Sequence, residues 1–249
     1  MKLLNLFRKS KGKLRENPDT SIKIDFHSHI LPGIDDGAKT LDDSIELIQE
    51  LKTQGIEKII TTPHIIRDLY PNTPEIIRGK RDDLVARLKK EAIDLEVVAS
   101  AEYYVDEYFL ELLEKQEELL TFKDKSILIE TNYVEKPNYL EKVIFEMRVD
   151  GYEVILAHPE RYHFLIRNEK AIERLFDTGV KFQTNLISFT GQYSKEIKMT
   201  ADFLLEQKMI SYIGSDIHHI RHAKLISHFK RTDKYQKILE LDIQNNAMF

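Results

Sequence analysis

Ile22-Lys23-Ile24-Asp25-Phe26-His27-Ser28-His29-Ile30-Leu31-Pro32-Gly33-Ile34-Asp35-Asp36 is the stretch on which the reading of the fold turns. The run to Phe26 reads as a short buried strand, and two histidines stand at i and i+2 directly beyond it. Side chains at i and i+2 of an extended segment point to one side. His27 and His29 are therefore expected to present two imidazoles together at a strand end, where they can grip a metal ion. The carboxylates of Asp35 and Asp36 follow within reach.

Outward from this stretch, short β-branched runs alternate with longer amphipathic ones. Strands are expected at Ile22–Phe26, Ile56–Thr61, Leu95–Ser100, Ser126–Glu130, Glu153–Ala157, Val180–Thr184 and Ile210–Gly214. Helices are expected between them, near Leu41–Gln54, Pro74–Ala92, Val105–Lys115, Pro137–Val149, Glu169–Thr178 and Lys195–Gln207, with a last one near Ala223–Leu241. Thr40 and Asp43 are spaced as a capping box. Thr73-Pro74 supplies a cap and then a proline at the first helical position. Gly55, Gly151 and Gly179 fall between helix and strand, where a left-handed C-terminal cap belongs. Repeated βα units of this size build a parallel sheet. Seven of them predict an α/β fold closed into a barrel, one unit short of the eight-stranded form, with an open doubly wound sheet as the alternative. No Gly-x-Gly-x-x-Gly or P-loop pattern follows a strand, which argues against nucleotide binding.

In βα barrels the chemistry sits at the C-terminal ends of the strands. Here those ends carry His27 and His29; Thr62-Pro63-His64; Glu102; Glu130; His158-Pro159-Glu160-Arg161; Asn185; and Asp216-Ile217-His218. Singly, each has a bland reading: a histidine is a surface or core residue, a carboxylate a helix cap. Jointly they do not. Glu102 and Glu130 end apolar strands, where a buried carboxylate without a partner is costly, and a cation removes that cost. Asp216 and His218 repeat the spacing of His27 and His29 on the strand that adjoins the first if the barrel closes. The candidate ligands are His27, His29, Asp36, His64, Glu102, Glu130, His158, Asp216 and His218. One metal takes about four to six ligands, so nine imply two or three divalent ions. Nitrogen and oxygen donors without sulfur suit Mn2+, Fe or Zn2+ better than Mg2+.

Composition narrows the chemistry. The 249 residues suffice for one large domain with a proper core. No apolar run approaches the roughly 20 residues that cross a bilayer, and a cytoplasmic location is expected. With no cysteine, disulfides, zinc–thiolate sites and cysteine-nucleophile hydrolysis are excluded. A net charge of −5 without a basic domain surface does not favour nucleic acid as a partner. Residues 1–20 differ from the rest: Lys2, Arg8, Lys9, Lys11, Lys13 and Arg15 surround Leu3, Leu4, Leu6 and Phe7. They read as a basic, flexible tail ahead of a single barrel domain over 21–249, with a weak membrane-surface or partner-docking segment as the alternative.

The pieces His27-Ser28-His29…Asp35-Asp36-Gly37, Thr62-Pro63-His64, Glu102, Glu130, Ala157-His158-Pro159-Glu160-Arg161-Tyr162 and Ser215-Asp216-Ile217-His218 resemble the PHP superfamily. Within it they resemble the bacterial metal-dependent protein-tyrosine phosphatases of capsular and exopolysaccharide loci. The resemblance implies a distorted (β/α)7 TIM-like barrel with three metal ions, commonly manganese. It implies that the nine residues are the ligands, with Asp36 rather than Asp35 as the aspartate. It implies that Arg161 binds phosphate. Arg221, in the segment His218-His219-Ile220-Arg221-His222, is the candidate for the second phosphate-binding arginine. The activity implied is hydrolysis of phosphotyrosine by a metal-bridged hydroxide. The substrate implied is a tyrosine kinase of polysaccharide assembly. A histidinol-phosphatase-type enzyme, a nuclease of the polymerase branch and a non-catalytic metal-bearing kinase scaffold are the alternatives. Tyr103, Tyr104, Tyr108, Tyr133 and Tyr139 follow the third and fourth strands, near the expected mouth, where they would stack on a phenyl ring.

Overall fold

The computed structural model describes residues 21–248, so the basic segment 1–20 and its proposed membrane contact lie outside the described residues. Among the described residues, nine strands form two parallel sheets. The first sheet holds β1 (Ile24–Phe26), β2 (Lys58–Thr61) and β4 (Glu96–Ala99) in the order β1-β2-β4. The second holds β3 (His64–Ile65), β5 (Glu102–Tyr104), β6 (Ser126–Glu130), β7 (Glu153–Ala157), β8 (Lys181–Asn185) and β9 (Tyr212–Gly214) in that order.

Two of the expected strands, β2 and β4, are each followed by a short second strand that was not expected: β2 and β3 occupy one barrel position, β4 and β5 the next. Pro63 sits in the first break and has no N–H to give to a ladder. Single hydrogen bonds carry the pairing across the gap, from Thr62 N to Ser28 O (2.8 Å), Ser100 N to Thr61 O (2.9 Å) and Glu102 N to Pro63 O (3.1 Å). The ring closes where Ser28 bridges Ile217 in parallel, with Asp216 N donating to His27 O (2.9 Å) and His29 N to Ile217 O (3.1 Å). The result is a distorted (β/α)7 barrel, as expected.

The helices are α1 (Leu41–Thr53), α2 (Pro74–Lys90), α3 (Glu107–Glu114), α4 (Leu140–Val149), α5 (Glu169–Asp177), α6 (Lys195–Glu206), α7 (Ile220–Phe229) and α8 (Asp233–Leu239). Their caps follow the local sequence. Thr40 and Asp43 form a reciprocal capping box, and Thr73 caps α2 with Pro74 at its start. Gly55, Gly151 and Gly179 adopt φ of 87°, 86° and 82°. The last expected helix, 223–241, is instead α7 and α8. Thr232 ends one and begins the other: its hydroxyl donates to Phe229 O (2.8 Å) and accepts from Tyr235 N (3.3 Å). Among the described residues no helix is long and apolar enough to cross a membrane.

Side-chain alternation along the strands makes two cores. Ile24, Phe26, Ile60, Phe122, Leu128, Ile155, Ala157 and Tyr212 fill the barrel interior, with Phe26 against Phe122 and Tyr212 at ring separations of 4.7 and 4.9 Å. The alternate residues, among them Ile59, Ile127, Val154, Leu156 and Ile213, face the helices. The seam between β9 and β1 is stitched twice by buried polar groups. Asp25 accepts from Ser215 N (2.8 Å) and Oγ (2.6 Å). Asn245 donates to Ile24 O (3.0 Å) and Ile213 O (2.7 Å) and accepts from Ile213 N (2.9 Å). Gly214 permits this closeness, since a Cβ there would stand 2.1 Å from Phe26 O.

Candidate active site

Above the apolar filling of the barrel, at the C-terminal strand ends, the interior changes character. All nine residues singled out in the sequence converge there. Among the described residues their donor atoms fall into four overlapping groups, each with its atoms within 4.8 Å of one another: His29, Asp36, His64 and His218; His27, His29 and Asp216; His27, Glu102 and His158; His64, Glu102 and Glu130. His27, His29, Glu102, Glu130, His158 and Asp216 are buried, while the Asp36 side chain is 49% exposed.

Two routes bring them together. His64, Glu102 and Glu130 lie on strands and point inward by ordinary alternation. Leu128 fills the interior and Glu130 follows it by two; Tyr103 faces the helices and Glu102 precedes it by one. His27 and His158 do not follow this rule. Phe26 and Ala157 face the interior, so an extended chain would turn the next residue toward the helices. His27 at φ 89° and His158 at φ 35° are left-handed instead, as is Asp216 at φ 48°. The expected extended geometry for the His27–His29 pair is therefore corrected: the two rings meet through a backbone reversal. Left-handed backbone at a residue with a Cβ costs about 1–3 kcal/mol and persists where the surroundings over-determine it.

Those surroundings are visible. Gln183 Oε1 accepts from His27 Nδ1 (2.7 Å) and from the backbone N–H of His158 (3.3 Å), and Gln183 Nε2 donates to Asn185 Oδ1 (2.8 Å). Asp35 Oδ2 accepts from His29 Nδ1 (2.8 Å), while Asp35 also accepts from Gly37 N (2.9 Å) and His64 N (3.3 Å). Gly37 packs so tightly on the His29 backbone that a Cβ would stand 2.0 Å from His29 O. With Nδ1–H of both rings donated outward, the Nε2 lone pairs of His27 and His29 face one another at 3.3 Å. The oxygens of Glu102 and Asp216 lie 3.1–3.5 Å from these nitrogens. Anchored imidazoles with inward lone pairs, ringed by carboxylates, are the arrangement that metal-ligating histidines adopt, so the donor set fits divalent cations.

The carboxylates favour positive charge within the cluster, carried either by a bound cation or by protons on the rings. Burial alone would push His27 and His29 toward the neutral form, yet Glu102 and Asp216 beside the first and Asp35 beside the second hold them above the ordinary histidine value. His64, opposed by burial but faced by Glu130 and Glu102, rises to about 9. Burial would raise Glu102 and Asp216; the imidazoles around them hold both well below the usual carboxylate range. His158 goes the other way, lowered by burial and by Arg161.

A cavity of about 700 Å³ opens over the cluster, lined by Asp36, His64, Glu130, His158, Asp216 and His218, and by Ile66, Leu69, Tyr70, Tyr104, Tyr133, Arg161, Tyr193, His219 and His222. Arg161 reaches it from a 3-10 turn after β7 and donates from Nη1 to Asp216 Oδ2 (2.9 Å); it does not pair with its neighbour Glu160. Glu160 is turned away and buried, accepting from Asn185 N (3.0 Å) and Ser188 Oγ (2.7 Å). Arg221, in the first turn of α7, is exposed and does not line the cavity; His219 and His222 line it there instead. Of the five tyrosines picked from the sequence, Tyr104 and Tyr133 line the cavity. Tyr103 is buried, its hydroxyl accepting from Leu120 N (2.6 Å). Tyr108 lies under Arg67 at 4.3 Å, and Tyr139 precedes α4. Tyr70 and Tyr193 carried no signal in the sequence, nor did Gln183; Asp35, the neighbour of the expected ligand Asp36, orients His29.

Comparison with known proteins agrees with this architecture. The family model for capsular polysaccharide synthesis, CpsB/CapC, matches residues 23–238. The tyrosine-protein phosphatase YwqE of Bacillus subtilis is 36% identical over 200 residues, covering 80% of this chain and 78% of its own. The tyrosine-protein phosphatase CpsB of Streptococcus pneumoniae is 32% identical over 203 residues, covering 79% and 83%. Crystal structures of YwqE and CpsB, described as unique metal-dependent tyrosine phosphatases, include a chain that superposes with a TM-score of 0.80 at 32% identity, covering 90% of this chain and 93% of that one. A histidinol phosphate phosphatase of Lactococcus lactis shares the fold, at a TM-score of 0.58 and 13% identity over 87% of this chain and 94% of its own.

Proposed function

The chain belongs to the CpsB/CapC family of capsular polysaccharide synthesis, and on that premise we propose that it is a metal-dependent protein-tyrosine phosphatase, a phosphoric monoester hydrolase. The observation that carries the reading is the floor of the cavity, where four overlapping donor groups share His27, His29, His64 and Glu102. His27, His29, Asp36, His64, Glu102, Glu130, His158, Asp216 and His218 would hold two or three divalent ions. Manganese suits the nitrogen and oxygen donors, and sulfur is absent from the set. When bound, such ions lower the pKa of water from 15.7 towards ~7 and neutralise phosphoryl oxygens.

The protein's own groups do the rest. Gln183 and Asp35 fix the tautomer and orientation of His27 and His29. Arg161, anchored on Asp216, binds the phosphoryl oxygens and meets charge as it redistributes among them. Tyr104 and Tyr133 with Ile66 and Leu69 give the cavity an apolar wall for a phenyl ring. A tyrosine phenol has a pKa of about 10, so its departure does not demand a strong acid, and no covalent phosphoenzyme is needed. The substrate that the family context supports is a phosphotyrosine-bearing kinase of polysaccharide assembly.

Elemental analysis of the purified protein, paired with phosphotyrosine-peptide hydrolysis before and after chelation, tests the reading. Hydrolysis should vanish with the metal and return on adding Mn2+. Activity that survives complete metal removal discards the mechanism. Faster turnover of histidinol phosphate than of the peptide transfers the protein to the small-molecule phosphatases.

A further inference from the structure

The guanidinium of Arg161 lies over two aromatic rings. Its Cζ lies 4.8 Å from the centroid of Tyr133 and 4.6 Å from that of Tyr193. Among the described residues, Asp216 is its one hydrogen-bond acceptor. A guanidinium carries five N–H donors in one plane. Here Asp216 takes one of them, and Arg161 lines the cavity, so donors remain for an oxyanion bound there.

The two tyrosines differ in what else they do. Tyr133 stacks on His158, with its hydroxyl 3.4 Å from His158 Nε2, so it is tied to the cluster. Tyr193 makes no ring contact or hydrogen bond with any of the nine among the described residues; its hydroxyl bonds with Asn185. It stands between Gly191, whose φ of 81° ends a 3-10 turn, and Ser194, which caps α6 (Lys195–Glu206). Its ring is thus carried by two fixed termini, one on either side. Burial keeps its phenol neutral, pushing it above the usual tyrosine range, and a neutral ring face is what a cation stacks on.

We propose that Tyr193 is a positioning residue for Arg161: its ring holds the guanidinium in place so that the free donors meet phosphoryl oxygens. This rests on the phosphatase reading and adds to it a residue outside the ligand set.

A double-mutant cycle tests it on the metal-loaded enzyme. Tyr193→Ala should lower kcat/KM on a phosphotyrosine peptide about tenfold, the size of one desolvated cation–aromatic contact, mostly through kcat. Metal content by elemental analysis should stay at the wild-type value. Tyr193→Phe, which keeps the ring, should recover most of the loss, whereas Tyr193→Leu should not. In an Arg161→Ala background Tyr193→Ala should cost little more. The same cycle, read on the affinity for inorganic phosphate, needs no turnover. Equal losses from Tyr193→Ala with and without Arg161, or failure of Phe to rescue, overturn the positioning role. A wild-type enzyme that binds phosphate with the cycle intact but hydrolyses no phosphotyrosine overturns the phosphatase reading and leaves the positioning role standing.

Discussion

The two halves of the rim reach the same space by different means. On one side His64, Glu102 and Glu130 ride on β3, β5 and β6, aimed inward by the period of a strand. On the other, His27, Asp216 and His158 follow β1, β9 and β7 in left-handed conformations. The first half needs only a strand in register. The second half needs something to hold an unfavourable backbone, and Gln183 does so for both histidines at once through one carbonyl oxygen. Inward direction that comes from alternation is robust to loss of neighbours; direction that comes from a reversal depends on them.

Removing the carboxylate that both halves share should have the largest effect. Glu102 faces His27, His29, His64 and His158. Glu102→Ala should abolish stoichiometric metal binding and lower turnover by more than about 100-fold, beyond what loss of an outer support costs. Elemental analysis and phosphotyrosine hydrolysis read it; full metal content in this variant would separate Glu102 from the cluster.

Gln183→Ala addresses the reversed half alone. Metal affinity should fall by about 10–100-fold, with the histidines on regular strands unaffected. A chelator competition that shows affinity unchanged would mean the left-handed residues hold themselves.

Glu160 sharpens the contrast in charge. It is as buried as Glu102, but without a ring of imidazoles burial pushes it up to about 7 from 4.5. Between those values the folded protein binds a proton that the unfolded chain has released. Its contribution to stability is therefore present at low pH and declines as pH rises through about 4.5 to 7. Glu160→Gln keeps an oxygen for Asn185 N and Ser188 Oγ and should flatten that slope in chemical denaturation, leaving the variant the more stable of the two above pH 7. An unchanged slope assigns it elsewhere.

The smallest effect belongs to left-handed residues with no site to serve. Ala92, at φ 53° beyond α2 (Pro74–Lys90), is exposed. Ala92→Gly should stabilise the fold by about 0.5 kcal/mol, the left-handed relief less the added chain entropy. A loss of stability by the same measurement would show that φ alone does not carry the cost.

Most of the rim was legible because imidazoles and carboxylates ending apolar strands have few other reasons to be there. The caps at Thr40 and Thr73 and the glycines at 55, 151 and 179 were legible because cap chemistry is local. The left-handed turns at His27 and His158 were not, since histidine carries no mark of that conformation. Neither were Gln183 and Tyr193: a neutral residue acquires its role only from what folding brings beside it, and His27 is 156 positions from Gln183. The separate fates of Glu160 and Arg161 were not legible either, since it is the 3-10 turn that sends Glu160 into the core and the arginine across to Asp216. The short strands β3 and β5, beyond Pro63 and Ala101, were hidden because two or three residues are too few to carry an alternation of their own.

The seam between β9 and β1 has a bearing on how the protein comes into being. Asp25 and Ser215 are 190 positions apart, and Asn245 reaches back 221 positions to Ile24. Pairings of that span are among the slowest to form, because the intervening chain must be gathered first. His27 cannot meet Asp216 until the ninth strand has followed it off the ribosome. The rim therefore assembles only after β9 has emerged, and until then the nascent chain carries His27 and His29 without the geometry to use them.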